Sequence, residues 1–302
     1  MDHTPIHTLD LNFQGRPLAI SSYMLEHSGG VILVESGPGS TVAALGAGLK
    51  IFGYDLKDIT HVLLTHIHLD HAGAAGELAG YGAQIYVHPN GAAHMLNPAK
   101  LINSATRIYG DRMDTLWGQF LAVPEDKLTI LQDGDEVTVG NLRFRALNTP
   151  GHAEHHYCYQ FEDLCFSGDV GAVRIPGYPY LRVPMPPPEF HLEKWRESIA
   201  FLKKQSFKRI APTHFGIFED VSWHFKAIES ALDDVEVWLN KNMPADPPVE
   251  ILKENFSVWM DEQAIKQGLD PKVAEAYQLS NPIGMSVDGL VRYWKKFRMP
   301  QA

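Results

Sequence analysis

Cysteine is scarce in this chain: two residues, Cys158 and Cys165, among 302. That excludes a disulfide-stapled scaffold and leaves an apolar core to hold the fold. At this length folding removes roughly three quarters of the unfolded surface from water, and a composition 45% hydrophobic and 21% charged supplies the core and a soluble exterior. Long hydrophobic runs are missing as well. No stretch of about 18 uncharged apolar residues occurs, so no membrane-spanning helix is expected. The opening Met1-Asp2-His3-Thr4-Pro5 lacks the basic, apolar, small-residue order of a secretory leader, and the expected location is cytoplasmic. Nor is there an excess of positive charge: 26 basic residues stand against 36 acidic, a formal net charge of −10. The negative far field disfavours polyanionic partners. The short basic clusters, Lys203-Lys204 with Lys208-Arg209 and Lys295-Lys296 with Arg298, read as solvated helix faces. A small-molecule substrate is expected, without nucleic acid or membrane; the oligomeric state is left open, a homodimer included. Internal repeats and low-complexity tracts are also absent.

What is present is an alternation of strand and helix signals, hence an α/β chain. Residues 6–11, 19–26 and 31–35 read as strands, the last two joined through a Ser28-Gly29-Gly30 turn. Residues 41–52 read as a helix, 59–64 as a buried strand, 71–79 as a small-residue helix and 85–88 as a strand. Further strands are expected at 128–131, 136–139, 142–147, 156–161 and 164–167. A proline-rich aromatic loop then runs through residues 176–188, too long for a simple connector. Helices dominate from Glu193 onward, broken by a strand at 209–212. Ile217, Val221, Phe225, Ile228, Leu232, Val235 and Leu239 form one apolar stripe at three- and four-residue steps. Residues 242–248 break that helix. The expected organisation is a main domain over 1–240 and a helical appendage over 241–302, too small to hold a core alone and therefore docked on the domain.

The chemistry concentrates in His66-Ile67-His68-Leu69-Asp70-His71, directly after the apolar strand. Four metal-competent side chains within six positions are a specific signal. Functional crevices of open α/β sheets lie at strand ends, where alternate residues share a side. His66 and His68 can share one ion, and Asp70 with His71 can face another. Three more candidates follow predicted strands: His152 in Thr149-Pro150-Gly151-His152, Asp169 in Ser167-Gly168-Asp169 and His214 in Pro212-Thr213-His214. Imidazole and carboxylate without thiolate suit zinc, iron or manganese, and a carboxylate can bridge two cations about 3.5 Å apart. No rival nucleophile is visible: G-x-S-x-G is absent, and Cys158 sits in a strand pattern.

This string, followed by T-P-G-H, a strand with G-D and a strand-terminal histidine, resembles the metallo-β-lactamase fold superfamily over residues 6–240. Within it the rhythm from Thr149 to His152, His156, Cys158 and Tyr159, together with Asp at 169, is most similar to the glyoxalase II-like branch. The resemblance implies a four-layer αββα sandwich with the site along one edge. It implies that His66, His68 and His152 hold one metal, that Asp70, His71 and His214 hold a second, and that Asp169 bridges them. It also implies two divalent cations, zinc foremost with iron or manganese as alternatives. The expected activity is hydrolysis of a small ester, thioester or lactone by a bridging hydroxide that Asp70 orients.

Arg174, Tyr178, Tyr180 and Arg182 follow Asp169 on the long loop and are candidate substrate contacts, a tyrosine donating to the acyl oxygen as in lactonases of this fold. His94, His155 and His156 are candidates for orienting the ligands, whereas His61 and His88 read as structural. In the appendage Trp259, Met260, Tyr277, Tyr293 and Trp294 read as core. Its Arg292, Lys295 and Lys296 are weak candidates for carboxylate contacts of the kind glutathione needs. The competing functions are an iron persulfide dioxygenase-like oxidoreductase, a nuclease, disfavoured by the acidic charge, and a metal-retaining binding module.

Overall fold

The computed structural model describes residues 4–299. Its first sheet holds β1 (His7–Asp10), β2 (Ser21–His27), β3 (Gly30–Val34), β4 (Ile59–Leu63), β5 (Gln84–Val87) and β6 (Leu128–Ile130), in that spatial order. The pairs from β1 to β3 are antiparallel and those from β3 to β6 parallel. The second sheet holds β7 (Glu136–Val139), β8 (Leu142–Asn148), β9 (Tyr157–Phe161), β10 (Leu164–Phe166) and β11 (Arg209–Ala211), antiparallel but for the β10–β11 pair. Helices α1 (Val42–Ile51), α2 (Leu69–Ala72), α3 (Ala75–Gly80), α4 (Pro89–Leu96), α5 (Ala99–Tyr109) and α6 (Met113–Trp117) are interleaved with the first sheet. Helices α7 (Leu192–Leu202), α8 (Val221–Asn242), α9 (Val249–Lys266), α10 (Pro271–Ser280) and α11 (Ile283–Tyr293) follow the second.

Period-two alternation sorts the side chains into layers. Tyr23 and Leu25, Ile32 and Val34, and Leu63 point between the sheets, where they meet Phe144, Tyr157, Tyr159, Phe161 and Phe166. Met24, Val31, Leu33 and Val62 turn instead toward the helices on the first sheet. Leu147, Cys158, Cys165 and Ile210 turn toward α7 and α8. The result is helix, sheet, sheet, helix. Both cysteines are buried and free.

Three local readings are adjusted. The helix expected over 71–79 is two, α2 and α3, because the backbone N–H of Ala74 donates to Gly37 O at 2.9 Å and the chain between them bends to meet that loop. The stripe from Ile217 becomes helical only at Val221, since Phe218 pairs with Ile210 through hydrogen bonds of 2.8 and 2.9 Å. Helices α4 to α6 occupy a segment for which no element was expected.

At the C-terminal end, α9 and α11 lay Leu252, Phe256, Met260, Val287, Leu290 and Tyr293 into the same apolar cluster as α7 and α8. Gly289 allows that approach, because a methyl group there would collide with the carbonyl oxygen of Met185. Tyr277 is buried too, while Trp259 and Trp294 are partly buried against the cluster. Among the described residues no helix is long and apolar enough to cross a membrane.

Candidate metal centre

The loops leaving β4, β8, β10 and β11 at their C-terminal ends meet in one place. The first carries His66 and His68 into α2, which presents Asp70 and His71; the others carry His152, Asp169 and His214. The turn before Asp169 is tight. A methyl group at Gly168, where φ is 49°, would lie 2.6 Å from both His156 Nε2 and Thr65 Oγ1, so only glycine fits.

Two sets of donor atoms result. His68 Nδ1 lies 2.9 Å from both His66 Nε2 and His152 Nε2. Asp70, His71 and His214 form a second set within 4.8 Å of one another. Asp169 stands between them: Oδ2 is 3.3 Å from His152 Nε2, and Oδ1 is 3.3 Å from both His71 Nε2 and His214 Nε2. Asp70 Oδ2 lies 3.7 and 3.5 Å from the same two imidazole nitrogens. His71 Nε2, His214 Nε2 and Asp169 Oδ1 are close but misaligned, so all three are buried without a hydrogen-bond partner among the described residues. Buried polar atoms left this way are costly unless something else completes them. A divalent cation fits both donor sets. The structure thus gathers all seven residues singled out in the sequence. Of these, His68 and Asp70 are part-exposed and the others buried, so the cluster opens on the side of that pair.

Hydrogen bonds on the far ring atoms fix which nitrogen faces the centre. His152 Nδ1 donates to Pro184 O at 2.9 Å and His214 Nδ1 to Ala19 O at 2.6 Å. His71 Nδ1 donates to Glu35 Oε1 at 3.0 Å. Thr65 Oγ1 donates to Glu35 Oε1 and accepts from His66 Nδ1 at 3.0 Å. Each turns its Nε2 inward. His68 is the exception and presents Nδ1. Glu35 is the hub that sequence reading missed. Wholly buried, it also accepts from Thr213 Oγ1 at 3.0 Å and lies within 4.8 Å of His66 and His71. Its position directly after the apolar run of β3 was the available signal. Tyr23, donating to Pro212 O at 2.6 Å, steadies the approach to His214.

The electrostatics divide the two sets. Burial lowers the pKa of His66, His68 and His152, that of His68 to about 3. Burial acts the same way on His71 and His214, but Asp169 and Asp70 outweigh it, raising His71 well above the ordinary imidazole value and His214 to about 10. Against its own burial, Asp70 is held at about 2 by His71 and His214, and Asp169 is held well below the usual range. In the chain alone, protons on His71 and His214 therefore balance the acids where a cation would.

The remaining histidines sort by contact. His156 Nδ1 meets Thr149 Oγ1 at 3.0 Å, and Val170 N donates to its Nε2 at 3.4 Å, tying it to the turn of Asp169. His155 Nε2 pairs with Glu189 at 3.2 Å. His88 caps α4 through Asn90 N, while His94 lies on that helix and His61 in β4. On the long loop, Arg174 binds Asp220 through two hydrogen bonds of 2.7 Å and lies 4.0 Å from the Phe218 ring, fastening the loop to the start of α8. Tyr180 is buried beside Tyr277, their rings 5.0 Å apart, and Tyr178 packs against the same cluster. Arg182 is buried elsewhere along this wall. Arg292 Nε donates to Pro188 O at 3.1 Å.

A model of the metallo-β-lactamase superfamily matches residues 15–214, and the chain belongs to that superfamily. It is 29% identical over 148 residues to the metallo-β-lactamase fold-containing protein ST1585 of Sulfurisphaera tokodaii, covering 48% of this chain and 56% of that protein. It is 36% identical over 121 residues to a hydroxyacylglutathione hydrolase of Rhodopseudomonas palustris, covering 40% and 35%. The chain thus spans about half or less of the length of these curated relatives. The solved structure of ST1585, described as an archaeal metallo-β-lactamase superfamily protein from Sulfolobus tokodaii, superposes over 96% of this chain and 99% of that one. The TM-score is 0.65 at 19% identity, a likeness of fold.

Proposed function

We propose that the chain is a binuclear metal-dependent hydrolase acting on a small thioester, ester or lactone, glyoxalase II-like in its ligand set. The observation that carries this is Asp169, whose two oxygens each stand 3.3 Å from imidazole nitrogens of different donor sets. His66, His68 and His152 would hold one cation, Asp70, His71 and His214 the other, and Asp169 both. Imidazole and carboxylate without thiolate favour zinc, with iron or manganese compatible. Such a pair, when bound, supplies acidified water and polarisation of an acyl oxygen.

The chain's own residues do the rest. Glu35, Thr65, Pro184 and Ala19 hold the imidazoles in one tautomer, so no reorganisation is needed during reaction. Asp70, on the open side, accepts a hydrogen bond from the attacking water and orients it toward the acyl carbon. Burial of the other ligands excludes bulk water and strengthens every charge interaction inside. Similarity to a hydroxyacylglutathione hydrolase over part of the chain supports an acyl substrate. A cytoplasmic setting accompanies this reading, as both thiols are free and buried.

The test is elemental analysis of purified protein joined to a panel of thioesters, esters, lactones and phosphodiesters. Two metals per chain and acyl hydrolysis are expected, and Asp169→Asn should lose metal and at least about a hundredfold in turnover. A single iron with oxygen uptake would replace the hydrolase by an oxygenase, and full activity in metal-depleted His68→Ala would remove the ligand assignment.

A further inference from the structure

A cavity of about 260 Å³ lies between the 179–185 segment and helices α8, α9 and α11. None of the seven residues of the metal centre lines it. Much of its wall is apolar, formed by Trp223, Phe256, Trp259 and Ile283. Arg182 lines it as well. This residue is 2% exposed, and among the described residues none of its three guanidinium nitrogens has a hydrogen-bond partner. The hydroxyl of Tyr180, in the same wall, is equally buried and unpaired.

A buried guanidinium without an acid is expensive to hold, because it loses its water shell and gains no counter-charge. The Tyr277 ring, 5.5 Å from Arg182 Cζ, offsets only part of that. Eight positions earlier Arg174 is given Asp220 as a two-pronged partner. Arg182 is given none: Asp234, the acid in the cavity wall, is exposed at the surface and makes no ion pair with it.

We propose that this cavity is a second ligand site, which takes the carboxylate of a small acid with an apolar body. The planar fork of Arg182 matches a carboxylate, and the fork and the Tyr180 hydroxyl, both shut within the wall, reach one by turning into the cavity. The aromatic wall covers the body. Its volume is below the roughly 300 Å³ at which most ligand pockets begin, which suits a body of one aromatic ring. With one cation inside and Asp234 outside, the cavity suits a single negative charge.

The experiment is titration of the full-length, metal-containing protein with 3-phenylpropanoate, 3-phenylpropan-1-ol and inorganic phosphate. Tryptophan fluorescence is the readout, since Trp223 and Trp259 line the cavity. The acid should give a saturable change and bind at least about tenfold tighter than the alcohol, while phosphate should neither bind nor compete. Arg182→Met should erase the preference for the acid, and Arg182→Lys should keep only part of it. Ala227→Phe, which fills the cavity from α8 and leaves the arginine in place, should abolish binding. Equal titration by acid and alcohol, phosphate competing as well as the acid, or unchanged acid binding in Arg182→Met or Ala227→Phe would each overturn the proposal. All three variants should retain wild-type metal content, so carboxylate bound at the metal centre would survive in them and be told apart.

Discussion

His214 and Ser280 donate to one acceptor, the carbonyl oxygen of Ala19, at 2.6 and 3.0 Å. The end of α10 therefore reaches the atom that orients a metal-facing imidazole. The next residue does the same for the other donor set: Asn281 Nδ2 donates to Val183 O at 3.1 Å, beside Pro184, whose carbonyl holds His152. The C-terminal helices brace one histidine of each set. Ser280→Ala should leave the protein folded, cost about 1 kcal/mol of stability and weaken the tighter-held metal complement a few-fold. Thermal unfolding and competition with a chelator measure the two effects; unchanged metal affinity would reduce Ser280 to a structural contact.

Glu35 joins His71, Thr65 and Thr213 around one buried carboxylate. Replacing an outer partner of a metal-binding histidine typically costs about 10- to 100-fold in metal affinity. Glu35→Gln keeps the shape and removes the charge, so metal affinity should fall within that range while the fold persists by circular dichroism. Wild-type affinity in Glu35→Gln would show that the hydroxyls and imidazole orient one another without it.

Metal uptake should release protons. With His71 raised well above the ordinary imidazole value and His214 near 10, both carry protons at pH 7 in the metal-free chain, and each must shed one to become a ligand. Calorimetry in two buffers of different ionisation heat should show release on binding, and apparent affinity should climb with pH. The metal-free chain should respond oppositely. Stability from raised imidazoles is complete below about 6.5 and fades as pH rises toward about 10. Stability from Asp70 is present above its ordinary value and fades as pH falls toward about 2. Uptake without proton release would mean that those imidazoles are already neutral.

Tyr109, on α5, donates only weakly, to Met285 Sδ at 3.6 Å, and its phenol is raised by burial and by the Asp70 carboxylate. It is a neutral donor that feels the Asp70 carboxylate, whereas Tyr178 and Tyr180 pack in the loop cluster. Tyr109→Phe should lower turnover roughly tenfold with metal content intact, more than Tyr178→Phe, whose ring packs on the loop cluster. Steady-state kinetics on any hydrolysed acyl substrate decides the order.

Much of this was legible in advance. Strands declared themselves because two-residue alternation is local, as in β2, where Tyr23 and Leu25 face one layer and Met24 the other. The metal centre declared itself because His66 through His71 crowd four candidate ligands into six positions. Helices α4 to α6 were not foreseen although α5 carries a stripe, Leu101, Ile102, Ala105 and Tyr109, that packs on the first sheet's core; the three helices are short, and much of α5 faces solvent. Glu35 was missed because a single acid after a strand looks like any turn residue until Thr65 and Thr213 close around it.

By itself the sequence determined the donor chemistry and its place at strand ends, since both follow from residue types and spacings within a few positions. Tertiary structure alone decided that His68 presents Nδ1 and the other four imidazoles Nε2, that Arg174 is paired and that, among the described residues, the Arg182 guanidinium is not. The reason is physical: those outcomes depend on partners from distant parts of the chain, such as Ala19 for His214, 195 positions away. Only the packing of sheets and C-terminal helices brings such partners within hydrogen-bond reach.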